Sequence, residues 1–328
     1  NSQHKLTWYN GYMDMQEAEV RDGQDDKEGA VRMKWNHQYI INSTLKGEHA
    51  FLENNVLRLN WSAVLSKAYS ETPDNTEIYM QGTHLQNTNS AIRRWEHNSD
   101  KDKAGYVDLM YKWNLGGGSV LDFSVGGMYR DKKRDSFFNE YTFDSATGSK
   151  DPQYQGTDWN NYDELLFVAR KYGNISDPLN YDATEKIGAG YGLVKYTYGR
   201  WELIGGVRVE HTNQGYTLKF PTESADPKGN QKYTDVLPSF HAKYGVHENA
   251  NLRLSYARSI NRPSFFEIVP YSIINEDYKE KGNPDLKHTV ADNVDFRYEF
   301  FPKSSEQFMI GAFYKYLKDP IEYGLLNE

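Results

Sequence analysis

Few residues in this 328-residue chain have the type and spacing that bond chemistry needs. There is no cysteine, which removes disulfide frameworks and Cys-ligated metal sites. The nine histidines (His4, His37, His49, His84, His97, His211, His241, His247 and His288) show no metal-binding spacing such as HExxH and read as loop or surface residues. No GxSxG elbow is present, so a hydrolase has no support. Gly116-Gly117-Gly118 precedes a strand pattern rather than a helix, so it reads as a turn and not a phosphate cradle. The acidic stretches 25–28 and 100–102 lack the ligand order of a calcium loop and read as solvated loop. No catalytic residue, metal site or cofactor is expected, and the chain is not read as an enzyme.

Recognition chemistry is better represented. Arg58, Asp108, Arg130, Arg208, Glu210, Asp295, Arg297 and Glu299 fall on the polar face of alternating segments. Charges of both signs there can pair across neighbouring strands and contact water, or they can touch a passing solute. Trp159, Tyr162, Tyr271 and Tyr278 stand in long polar segments among amides and carboxylates. Such rings can stack on sugars or flat chelates, with polar neighbours fixing orientation, or can pack the loops together. Arg262-Pro263 reads as a strand end rather than a ligand contact, because proline has no N–H for a sheet ladder.

The elements that would position these residues are strands with a period of two. Leu252, Leu254 and Tyr256 oppose Arg253, Ser255 and Ala257; after a long loop, Val294, Phe296, Tyr298 and Phe300 oppose Asp295, Arg297 and Glu299. The same alternation covers 5–14, 31–41, 57–66, 107–113, 121–130, 187–198, 201–218, 236–246 and 308–316. These amount to about 11 long strands. Between them lie polar excursions over 69–103, with a hairpin of its own near 78–81 and 92–95, and over 131–183. Short turns, such as Gly199-Arg200, alternate with long polar loops. Transmembrane barrels show that asymmetry, whereas a soluble sandwich distributes its loops more evenly and uses shorter strands.

Composition agrees with a wall that is apolar on one side. Hydrophobic residues are 38% and mean hydropathy is -0.83, yet aromatics reach 15% with 26 Tyr. A disordered chain would be poor in aromatics. Net charge is -8, against a general nucleic-acid surface. No apolar run approaches the roughly 18 residues of a membrane helix, which leaves membrane strands open. The chain opens in mid-pattern, without a signal peptide, and stops just after another strand, so it reads as an internal piece of a longer protein. A soluble or surface carbohydrate-binding β-protein and a passive porin remain alternatives.

Five stretches resemble the barrel region of TonB-dependent outer-membrane receptors of Bacteroidetes-type bacteria. They are 186–210 (KIGAGYGLVKYTYGRWELIGGVRVE), 233–244 (YTDVLPSFHAKY), 252–263 (LRLSYARSINRP), 282–287 (GNPDLK) and 313–321 (FYKYLKDPI). Two others, 57–74 (LRLNWSAVLSKAYSETPD) and 123–135 (FSVGGMYRDKKRD), resemble earlier parts of the same barrels. The resemblance implies an all-β antiparallel transmembrane β-barrel of 22 strands, of which 1–328 would be a partial barrel with long extracellular loops. It also implies uptake of a scarce nutrient: a ferric siderophore, cobalamin or an oligosaccharide. Expected partners are outer-membrane lipid, a plug domain of the same full-length protein, the TonB complex and a surface lipoprotein, in the outer membrane of a Gram-negative bacterium. The plug, the TonB-binding segment and the closing strands have no counterpart in this stretch. On that topology Leu252 and Leu254 face lipid, Arg262-Pro263 reaches the extracellular rim, and 264–287 lies over the barrel mouth.

Overall fold

The computed structural model describes residues 3–24, 29–52, 56–81, 84–85, 91–145, 167–169, 179–221, 226–274, 279–303 and 305–324. Eleven long strands follow one another in sequence order through a single antiparallel sheet. They are β1 (His4–Gln24), β2 (Gly29–Phe51), β3 (Leu57–Gln81), β4 (Ala91–Gly116), β5 (Ser119–Ser145), β6 (Tyr181–Tyr198), β7 (Trp201–Leu218), β8 (Lys228–His247), β9 (Ala250–Asn261), β10 (Thr289–Lys303) and β11 (Glu306–Lys318). Two short strands, His84–Leu85 and Phe167–Ala169, pair with β3 and β5. A separate two-stranded ladder joins Ser272–Ile274 to Lys279–Lys281. One short helix, α1 (Phe265–Ile268), interrupts the β9–β10 connection.

Strand register sorts the side chains into two faces. One carries Leu59, Trp61, Val107, Leu109, Val125, Val207, Val209 and Val236 in adjoining positions, and many of these are exposed. Trp113, Tyr198, Trp201 and Tyr244 border this belt toward the short turns. From Tyr198 to Gly188 on β6 the belt takes about ten residues, roughly the 9–11 that a tilted strand needs to cross the bilayer. Exposed apolar surface of this extent is stable only against lipid or a partner. Leu252, Leu254 and Tyr256 share this outward face, as do Val294 and Phe296. Opposite it is the inner face, onto which residues 262–274 and 279–288 of the β9–β10 connection fold.

The turns agree with their sequences. Gly116, Gly117, Gly118 and Gly199 adopt positive φ, which glycine supplies without the Cβ penalty. Arg200 fixes its turn further: its Nη1 donates to the Val246 carbonyl at 2.8 Å.

Strand lengths differ from the sequence expectation. β1 continues to Gln24 rather than ending near Asp14. The excursion expected from 69 is still ladder: β3 runs to Gln81 and pairs with the start of β4, with a register shift between Thr72 and Asn75. The hairpin near 78–81 and 92–95 is the top of that same pairing. β5 likewise extends to Ser145 and has 27 residues. Beyond the belt both faces are polar, so hydropathy loses its period, while backbone hydrogen bonding continues unaffected.

Candidate functional site

Beyond the belt, the inner faces of β4–β8 carry a dense set of ion pairs. Asp100 receives Arg134 through Nε at 2.6 Å and Nη2 at 2.8 Å, with Lys132 Nζ at 3.2 Å. Asp102 receives Arg130 at 2.5 Å, and Glu185 stands 3.7 Å from the same guanidinium. Glu210 is buried and pairs with Arg208 at 2.6 Å and, in close contact, with Arg262. Higher still, Arg94 lies between Glu140 at 2.5 Å and Glu77 at 3.6 Å. Strand period explains the gathering, since residues two apart on adjacent strands share one face. Burial pushes the Asp100 carboxyl up, but the Arg134 hydrogen bond and the Arg134 and Lys132 charges outweigh it and leave it below the ordinary carboxylate range. Tyr181, buried beside them, is pushed up by burial.

A lid of chain closes this region from above. Ser264 caps α1 with a reciprocal box: the Glu267 N–H donates to Ser264 Oγ, and Glu267 Oε2 accepts from the Ser264 N–H at 2.6 Å. Phe265, Ile268, Val269 and Tyr271 pack into a cluster with Phe138, Tyr181, Ala183, Tyr216 and Leu218. Lys132 and Arg134 lie 5.4 and 5.6 Å from the Phe265 ring centre. Arg262 Nε donates to Thr212 Oγ1 at 3.1 Å, and Gln214 Nε2 donates to the Pro263 carbonyl at 2.7 Å. At the returning end, Gln231 Nε2 donates to the carbonyls of Pro284 at 3.1 Å and Leu286 at 2.7 Å. Gly282 fits under Val269, whose carbonyl would lie 1.9 Å from any Cβ placed there.

A cleft of about 780 Å³ opens beside this returning end, between the top of β8, residues 284–290 and the end of β11. Tyr233 stacks on His288 at 3.9 Å, and His288 Nε2 lies 2.9 Å from Asp235. Its size is within the usual range for small-molecule sites.

The structure divides the residues singled out from sequence. All eight charged residues share the inner face. Arg130, Arg208 and Glu210 join the ion cluster. Asp108 lies lower and accepts from the Tyr191 hydroxyl at 2.6 Å. Glu299 pairs with Arg253 at 2.8 Å and has Arg297 at 4.0 Å, near the short turns. Arg58 and Asp295 are exposed and have no ion-pair partner among the described residues. Tyr271 is only 3% exposed; its hydroxyl donates to Glu280 at 2.7 Å, so it packs the lid. Trp159, Tyr162, Tyr278 and the acidic stretch 25–28 lie outside the described residues.

One sequence reading needs correction, and another gains a second role. Asp100 and Asp102 are strand residues holding cations, not solvated loop. Arg262 ends β9 as expected but belongs to the Glu210 cluster as well. Glu185 and Gln214 belong to this face as well, and the period of two that sets Glu185 with Tyr181 and Gln214 with Arg208 is the sequence signal for them. Among the described residues no group of His, Asp and Glu could hold a metal ion.

Comparison with known proteins agrees with this geometry. The family model for the outer membrane protein beta-barrel family matches residues 53–327. The chain belongs to that family and to the outer membrane of Gram-negative bacteria. No curated protein sequence matches it. Among solved structures it resembles the siderophore receptor PiuA from Acinetobacter baumannii, with TM-score 0.57 and 14% identity over 95% of this chain and 50% of that one. It also resembles the ferric-catecholate import receptor Fiu from E. coli K12 in its open form, with TM-score 0.54 and 11% identity over 97% of this chain and 59% of that one. The chain therefore spans between half and three fifths of those two receptors, and it shares their barrel fold. Both are receptors rather than enzymes.

Proposed function

We propose that this chain is the wall and mouth of a receptor that takes up a scarce nutrient across the outer membrane, with an iron chelate as the first cargo to test and cobalamin or an oligosaccharide as the others. The observation that supports this most is the lid formed by 262–274 and 279–288, packed over a charged inner face. A passive pore needs an open, water-filled lumen, whereas a receptor gains from a narrowed, rigid mouth that holds solute at chosen contacts. The exposed inner-face charges Arg58, Asp295 and Arg297 are then available to a plug of the same full-length protein or to solute. The 233–288 cleft and the aromatics Trp159, Tyr162 and Tyr278 are the places to look for cargo contact. Tyr271 serves by holding the lid. Energy would reach the receptor from a TonB complex acting on the plug, and a surface lipoprotein is a further candidate partner.

Uptake of radiolabelled ferric chelate, cobalamin and oligosaccharide by cells with and without the gene tests this. Gene-dependent uptake that stops when a protonophore collapses the inner-membrane gradient is the expected result. Gene-dependent permeation that ignores the protonophore would make the protein a passive porin.

A further inference from the structure

We propose that the gap beside the upper half of β8 is a docking slot for an extended peptide, which enters as one more strand of the wall. The sheet itself opens there. β8 pairs with β7 from Lys228 to Tyr244, but with β9 only from Ser239 downward. Pro238, the next residue up, has no N–H with which to continue the ladder. On the far side β9 stays paired with β10 as far as Asn261, and Arg262-Pro263 then turns the chain onto the inner face of β7. Among the described residues no backbone hydrogen bond reaches the free edge of β8 above Ser239. An unpaired strand edge is a template for another strand.

The gap is one strand wide. Ser239 faces Ala257, and Ala257 faces Asn293. Carried upward at the same offset, Gln231 stands level with Asp285, two strand spacings or about 10 Å away. Gln231 bridges that distance with its side chain: Nε2 donates to the carbonyls of Pro284 and Leu286, the two residues that flank Asp285. A glutamine carries its amide about 5 Å from its own backbone, roughly one strand spacing, so this amide stands where the N–H of an inserted strand belongs. Lys232 points outward and Gln231 and Asp235 point inward, yet all three line the same cleft of about 780 Å³. An intact ladder would keep those two faces apart. Asp235 adds a side-chain preference. Its Oδ1 lies 2.9 Å from His288 Nε2, while its Oδ2 is buried without a hydrogen-bond partner. A buried carboxylate oxygen without a donor is costly, and a lysine or arginine on the peptide satisfies it. The free edge selects a polypeptide, because a sugar or a chelate has no run of alternating amides to match it. Docking at this edge does not depend on transport of any cargo, so a negative uptake result leaves it standing.

The test uses the full-length protein in non-ionic detergent and a fluorescein-labelled hexapeptide, Thr-Val-Lys-Val-Thr-Val. Two relatives accompany it, one with norleucine in place of the lysine and one N-methylated at alternate backbone amides. Fluorescence anisotropy should show saturable binding of the parent peptide, and the bound peptide should slow hydrogen exchange of the β8 amides between Asn230 and Leu237. N-methylation should weaken binding about tenfold or more, because hydrogen bonds along one edge of the peptide are lost. Asp235→Asn should weaken the lysine peptide about tenfold and leave the norleucine peptide unchanged. Gln231→Ala removes the amide that holds the strand's place, so a Gln231→Ala protein that melts with wild type should bind both peptides more tightly. Absence of saturable binding, indifference to N-methylation, or exchange protection confined to other strands would each overturn the proposal. Weaker binding by Gln231→Ala at an unchanged melting temperature would also overturn it, by showing that the glutamine does not occupy the place of a strand.

Discussion

The two ends of this sheet cross the same belt and build different structures beyond it. β3, β4 and β5 have 25, 26 and 27 residues, while β9, β10 and β11 have 12, 15 and 13. The tall strands rise well past the roughly 9–11 residues needed to span the bilayer. There the backbone ladder supports itself, and its inner face is cross-linked by Arg–carboxylate pairs. The short strands stop near the rim, and residues 262–274 and 279–288 occupy the space they leave. It leans on the tall part through Phe138, Tyr181 and Tyr216. A lid in this protein is therefore possible because one half of the wall is higher than the other.

Paired substitutions can break that comparison. The largest effect is expected from Glu210→Ala, which leaves Arg208 and Arg262 without their buried carboxylate. It should cost about 3–5 kcal/mol of lid docking, read as faster hydrogen exchange over 262–288. Glu299 is buried to the same degree, but its partners Arg253 and Arg297 are half-exposed and stay solvated without it, so Glu299→Ala should cost about 1 kcal/mol or less. Equal effects would mean that burial of the partners does not separate the two regions.

Next in size, Phe265→Ala removes the lid's main apolar anchor. It should lower lid docking by about 3 kcal/mol by the same exchange measurement, while the belt strands keep their protection. Loss of protection in the strands as well would show that lid and wall form one cooperative unit.

The smallest effect concerns acid. Because the folded Asp100 carboxyl titrates below its unfolded value, its contribution is fully present above about pH 4 and is lost as pH falls from there through the folded value. Acid titration of exchange protection over β4 and β5 should show this loss, and Asp100→Asn should flatten it. Arg258 and Asp292 also pair closely, at 2.9 Å, but on the outward face of the short strands. Arg258→Gln should leave the acid limb of β4 and β5 unchanged.

Much of the wall was legible in the sequence. The belt strands, the Gly199-Arg200 turn, the outward placement of Leu252 and Leu254, and the shared face of Arg130, Arg208 and Glu210 all follow from a period of two. That period is visible wherever lipid contact demands apolar side chains on one face. It fades past Tyr69 and Asp131, where water bathes the outside, and the strands there looked like loops. Nor does the sequence say which charges on a face will meet, because partners such as Glu210 and Arg262 are 52 positions apart and are joined only by register and a folded-back connection. Residue chemistry alone determined a wall of strands with one apolar and one polar face. Tertiary structure decided its height, its lid and which of its charges are paired, since these depend on how far each backbone ladder runs past its neighbours.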